Sequence, residues 1–187
     1  MLSTLGHDEW EALAAADVYW RPRWDYLSVV AGWVRRIGEA NHLAPQHVLE
    51  IGPYTRALVD SCDTMDCRRW PLKIVRGMTQ PTWLMDARKT PWSMIDDDAY
   101  ELAVAMQVWE HLAPAQEQAA AELMRIARCA VVSVPFEWGP GHGCHSGITP
   151  ATVRRWFAGV GSVEATEVVG NHSLPRLVCR IERRMEA

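Results

Sequence analysis

Apolar positions along this chain recur first at helical spacing and then in short strand-like runs. Trp10, Leu13, Ala14 and Val18 share one helical face, which predicts an amphipathic helix beginning near Ser3 or Thr4, and Arg21-Pro22 interrupts it. Leu27, Val30, Ala31, Val34 and Ile37 form a second stripe and predict a helix from about Trp24. Arg35 and Arg36 near its end complement the helix dipole, and Gly38 is the expected stop. Beyond it come the runs 48–51, 61–66, 82–85, 100–106 and 129–135, each read as a strand. The last two are apolar enough to be covered on both faces. Only a short helix fits between the first and second runs, and residues 67–81 lack periodicity and read as loop. Pro114 opens a helix carrying Ala119, Leu123 and Ile126 on one face, and Thr149-Pro150 opens another with Val153, Trp156 and Phe157. Alternation at 163–166 and at Leu177, Cys179 and Ile181, around Gly170-Asn171, predicts an antiparallel hairpin. The pattern is α/β: seven strands, with helices on both faces of a mostly parallel sheet.

Composition narrows the picture modestly. The 187 residues suit a single domain, 1–187, with a core large enough to need no staples, and residues 1–40 are expected to be N-terminal helices that serve as a lid. A net charge of −4 points to neither nucleic acid nor an anionic membrane surface. Five cysteines without paired spacing favour reduced thiols in the cytoplasm. Residues 1–9 lack a basic and an apolar segment, so no signal peptide is expected, and no apolar run is long enough to span a bilayer. Ten tryptophans supply core, and some can line a pocket.

The candidate chemistry centres on His47-Val48-Leu49-Glu50-Ile51-Gly52-Pro53-Tyr54. This buried strand stops at Gly52-Pro53 with Glu50 near its carboxyl end, where α/β sheets bind ligands. It resembles the first motif of class I S-adenosylmethionine-dependent methyltransferases, usually V-L-E/D-I/V-G-x-G-x-G. Tyr54 stands in place of the second glycine and Arg56 in place of the third. Gln107-Val108-Trp109-Glu110-His111-Leu112 after the fourth strand is similar to that family's x-V-L-E-H-L/I. The resemblance covers about residues 24–183 and implies the Rossmann-like, seven-stranded fold with a C-terminal hairpin. It also implies S-adenosyl-L-methionine as cofactor. On it, Glu50 and Gln107 meet the methionine ammonium and backbone N–H groups after Gly52 meet the carboxylate. Asp66 takes the ribose hydroxyls, with Asp63 as runner-up, and Asp86-Ala87 contact the adenine. Tyr54 packs on the ribose or faces the sulfonium, or else it blocks the site.

The implied activity is methyl transfer to an oxygen or nitrogen of a small-molecule or peptide-like acceptor, and a homodimer is compatible with it. His111 and His145 are the candidate bases, His145 on a loop from 136 to 147 expected to flank the acceptor. His142, Cys144 and His145, with Glu137, lack the paired spacing of a zinc site, so no metal is expected. The rival reading is an inactive methyltransferase-like binding or regulatory subunit. A dehydrogenase is disfavoured by the absent G-x-G-x-x-G.

Overall fold

The computed structural model describes residues 2–68, 82–140, 146–170 and 174–184. Seven strands, β1 (Val48–Ile51), β2 (Asp63–Asp66), β3 (Trp83–Leu84), β4 (Tyr100–Met106), β5 (Ala127–Pro135), β6 (Gly161–Val169) and β7 (Arg176–Arg183), form one sheet. Their order is β3-β2-β1-β4-β5-β7-β6. The first five strands run parallel, and β7 lies antiparallel to both β5 and β6. The predicted hairpin and the seven-stranded, Rossmann-like architecture are therefore as expected.

Period-two alternation divides the core into two layers. Val48, Leu102, Val104, Cys129, Val131 and Val178 face α2 (Trp24–Ala40), whose predicted stripe is buried against them. Leu49, Ile51, Ala103, Ala105, Ala130, Val132 and Val134 face α3 (Gln116–Ile126) and α4 (Pro150–Trp156). The Thr149 hydroxyl accepts from the Thr152 N–H and so caps α4 as predicted. Among the described residues no helix is long and apolar enough to cross a membrane.

Three local expectations are corrected. The first helix, α1, spans His7–Ala16 rather than starting at Ser3 or Thr4, and Val18 lies exposed in a following 3-10 helix, Val18–Arg23. Gly38 does not end α2, which runs on to Ala40. A Cβ on Gly38 would stand 2.7 Å from Leu2 Cδ1, so this glycine admits Leu2 instead. The third correction matters most: residues 52–62, between β1 and β2, contain no helix. Their backbone turns at positive φ at Gly52, Tyr54 and Ser61, and the N–H groups of Leu58 and Val59 donate to the Glu50 carboxylate rather than to helix carbonyls.

Residues 2–5 fill the layer where that helix was expected. Thr4 bridges Val59, the Leu5 N–H donates to Leu58 O (2.8 Å), and the Asp60 N–H donates to Ser3 O (2.9 Å). Leu2 and Leu5 are buried with Leu58 and Val59 against α2. Beneath this sits Arg56, fully buried. Its Nη2 donates to Asp60 (2.6 Å), its Nε to Glu9 of α1 (2.8 Å), and its Nη1 to Ala57 O. The residue in the third-glycine position thus ties α1 to the β1–β2 connection.

Removing one partner of a buried pair strands the other charge, whereas losing an exposed partner costs little. Asp60→Ala should therefore lower unfolding free energy by about 3 kcal/mol, and Glu9→Ala by less than about 1 kcal/mol. Urea unfolding of the two variants checks this; equal losses would show that Arg56 is held otherwise.

Candidate active site

The carboxyl ends of β1, β2, β3 and β4 converge on one rim, the usual ligand edge of such a sheet. Gly52 leaves β1 at φ 66°, and its N–H donates to Met65 O (2.8 Å). A Cβ there would come within 2.6 Å of Val108 Cγ2, so both conformation and packing require glycine. Glu50, on the α2 face of β1, is completely buried. Its Oε2 accepts from Leu58 N (2.7 Å) and Val59 N (3.3 Å), while its Oε1 is buried with no hydrogen-bond partner. Burial raises this carboxyl to about 7, against the opposing pull of the two N–H groups and of Arg56.

Tyr54 adopts φ 58°, so the backbone keeps a glycine-like turn although the residue is tyrosine. Its ring packs on Tyr19 at 4.0 Å between centroids, and its hydroxyl donates to Asp17 Oδ2 (3.3 Å). Asp66 ends β2 and accepts the Arg68 N–H on Oδ1 (2.9 Å). Asp86 follows β3 and is clamped by Arg88, whose Nε and Nη2 lie 3.0 and 2.8 Å from its two oxygens. That pairing holds Asp86 below the usual carboxylate range. Ala87 beside it is buried. A cleft of about 520 Å³ opens here, lined by Cys67, Arg68, Leu84, Met85, Asp86, Arg88 and Lys89.

Gln107 leaves β4 at φ 57°, its N–H donating to Ser133 O (2.8 Å) and its Nε2 to Ser133 Oγ (3.3 Å). The structure thus gathers Asp66 and Asp86 around Cys67, whose thiol is raised by burial and then by both carboxylates, while Glu50 turns beneath the 58–59 backbone and does not line the cleft. His111 is half-exposed, with its Nε2 4.0 Å from Glu110 Oε1. His145, with His142 and Cys144, lies outside the described residues.

Sequence reasoning passed over three groups at the neighbouring part of the rim. Glu110 follows β4 in a short 3-10 helix, Trp109–His111, and is 3% exposed with Oε2 unpartnered. Burial lifts its carboxyl to about 8, even with Arg176 and Arg23 pulling it down. Arg176 starts β7 opposite Pro135, the last residue of β5. Arg23 ends the 3-10 helix ahead of α2. The available signal was a charge set among apolar neighbours, Leu174-Pro175-Arg176-Leu177-Val178.

No protein-family model matches the chain, and no curated protein matches it by sequence. Solved structures do. Magnesium protoporphyrin IX methyltransferase from Synechocystis PCC 6803, with bound SAH, superposes with a TM-score of 0.60 at 14% identity, over 85% of this chain and 82% of that one. The cyclase SpnF gives 0.58 at 12% identity, over 88% and 84%. An S-adenosylmethionine dependent methyltransferase from Mesorhizobium loti gives 0.53 at 11% identity, over 84% and 100%. At such identities the likeness shows a shared fold, that of class I methyltransferases, and the cyclase carries a different activity on it.

Glu50 and Glu110 generate a pH prediction. Each is protonated in the folded protein well above its ordinary value of 4.5, so each contributes stability that is full below about pH 4.5. That stability is lost as pH rises through about 7 for Glu50 and about 8 for Glu110. Unfolding free energy should fall between pH 5 and pH 8, and Glu50→Gln should reduce that fall by about 3 kcal/mol. Urea midpoints at the two pH values measure it; an unchanged slope in the variant would refute the assignment.

Proposed function

We propose that the chain is an S-adenosylmethionine-dependent methyltransferase acting on an oxygen or nitrogen of a small-molecule or peptide-like acceptor. The observation that carries this reading is Glu50 Oε1, a buried and unpartnered carboxylate oxygen at the tip of β1. A buried polar atom without a partner costs about 1–3 kcal/mol, and an ammonium group at the strand tip would remove that cost. The cofactor's amine is such a group, and SAH is bound in the magnesium protoporphyrin IX methyltransferase of similar fold. Residues at the other strand ends fit as well. Asp66 suits ribose hydroxyls, and the cleft beside Asp86 and Ala87 is of a size for a nucleoside.

When bound, the cofactor supplies an electrophilic methyl group on a sulfonium. The chain's own residues then have three tasks. Glu50 and Gln107 hold the amino-acid end, Gly52 keeps the β1 turn tight, and Asp66 and Asp86 fix the nucleoside, with Arg88 shifting aside or sharing Asp86. His111 or His145 takes the acceptor's proton, and His111, half-exposed at the rim, is the one within the described residues. The helices of residues 1–40 roof the acceptor side, with Tyr54 fastened to them through Tyr19 and Asp17. Free thiols at Cys62, Cys67, Cys129 and Cys179 support a reducing, cytoplasmic setting.

One observation favours the rival reading of a catalytically inactive binding or regulatory subunit. Residues 52–62 lack a helix, so no helix N-terminus faces the cofactor carboxylate, and Glu50 already engages the N–H groups of Leu58 and Val59. Titration with S-adenosylhomocysteine by calorimetry separates the two. Binding is expected in the parent and should weaken roughly tenfold, about 1.4 kcal/mol, in Glu50→Gln, which keeps the acceptor for Leu58 but loses the charge. A parent that fails to bind, while Tyr54→Gly binds, would establish the inactive scaffold instead.

A further inference from the structure

Beside the strand tips assigned to the cofactor lies a second cluster with the opposite electrostatic character. The Arg176 side chain is inserted between rings, its guanidinium 4.1 Å from the Trp138 ring centre and 5.6 Å from that of Tyr26. It is 4% exposed, its Nη1 donates to Leu174 O (2.9 Å), and its Nε is buried with no hydrogen-bond partner. The Arg23 guanidinium lies over the Tyr19 ring, its Cζ 3.6 Å from the centroid, and its Nε is likewise buried and unpartnered. Trp20, edge-on to Tyr19 at 5.4 Å, has a third buried N–H donor without an acceptor. Burial and the nearby Arg23 both disfavour the charge of Arg176, and the two guanidinium groups both act on Glu110.

A buried cation with a second, half-buried one beside it is costly unless an anion joins them. Glu110 is the carboxylate that acts most on Arg176, yet among the described ion pairs none joins Glu110 to either arginine. Burial keeps Glu110 largely protonated at neutral pH, so it leaves the two cations uncompensated. Rings on both sides of Arg176 and under Arg23 fix these forks in place, which limits the ordering cost of meeting a ligand.

We infer that Arg23 and Arg176, with Glu110 and Trp20 beside them, form a subsite for a compact oxyanion, a carboxylate or phosphate, carried by the acceptor substrate. The subsite rests on the proposed methyl-transfer function for its link to an acceptor, but its chemistry stands by itself. Unpartnered N–H donors on two guanidiniums match the oxygens of such a group, and the neutral carboxyl of Glu110 can donate to a further one.

The probe is nuclear magnetic resonance of the arginine Nε–H groups in protein labelled with nitrogen-15. Arg23→Gln and Arg176→Gln identify the two signals. Benzoate and inorganic phosphate are titrated separately at constant ionic strength against chloride, with benzamide as the neutral counterpart of benzoate. Saturable shifts of both signals with benzoate or phosphate are expected, and the stronger of the two identifies the kind of oxyanion. Chloride and benzamide should leave both signals in place. Arg23→Gln, at a half-buried position, should weaken the response at least tenfold even where Arg176→Gln fails to fold. Shifts that chloride reproduces, or none with either oxyanion, would overturn the inference. Repeating the titration with saturating S-adenosylhomocysteine assigns the subsite. If that compound displaces the oxyanion, the arginines serve the cofactor's own carboxylate and the acceptor subsite is refuted. If it does not bind at all while the oxyanion still does, the methyltransferase reading fails and the oxyanion subsite stands.

Discussion

The architecture around the site depends on one hydrogen-bonded contact, the Glu50 carboxylate beneath the backbone of Leu58 and Val59. A carboxylate at this depth cannot reach water, so it must find donors within the fold or give up its charge. Glu50 does some of both. Its two backbone donors satisfy one oxygen, and the remaining desolvation keeps the group near neutrality. The same contact dictates the shape of the connection above it. The N–H groups of Leu58 and Val59 go to this carboxylate and that of Asp60 to Ser3 O, and residues 52–62 run from β1 to β2 as a chain of turns.

A connection without a helix leaves the adjacent face of the sheet thinly covered, and residues far away in sequence cover it. Leu2 and Leu5 supply apolar bulk, while Ser3, Thr4 and Leu5 pair with Leu58, Val59 and Asp60 in the manner of a short antiparallel ladder. Arg56 then connects this layer to Glu9 of α1 through a bidentate contact, which positions the helix. From α1 the chain passes through Tyr19 and Arg23 to α2, and Tyr54 stacks back on Tyr19. The wall of the candidate site is thus assembled from residues on both sides of the missing helix. Departures from the glycine-rich motif at Tyr54 and Arg56 are the residues that hold this wall.

Strand positions were readable because buried parallel strands leave continuous apolar runs, and β4 and β5 lie at the centre of the sheet. The stripe of α2 was readable for the same reason, since all five of its apolar positions are buried. The start of α1 was not. Leu2 and Leu5 fit a helical stripe as well as an extended segment, and only their pairing with residues 58–60 decides between them. Gly38 was misleading because its role is close approach by Leu2, which has no local signature. Among site residues, Gly52 was legible from its place after an apolar run. The status of Glu50, Arg23 and Arg176 was not, because an unpartnered atom is a property of the three-dimensional surroundings and of no sequence spacing.

β1 and β4 are neighbours, and each ends near a buried glutamate that is held close to neutrality and carries one orphaned oxygen. Their surroundings differ in a way that orders the proposed ligands. Around Glu50 the cation that acts on it among the described residues, Arg56, is already neutralised by Asp60 and Glu9, so a further positive group is welcome there. Around Glu110 the cations Arg23 and Arg176 face a carboxyl that burial keeps largely neutral, so a negative group is welcome instead. A cofactor amine at the first position and an acceptor oxyanion at the second would each relieve a different local imbalance. A ligand placed in reverse would meet like charge at one end. On this argument the rim discriminates orientation before any residue contacts the reacting atoms, because the cost of burying an unmatched charge exceeds what shape alone would supply.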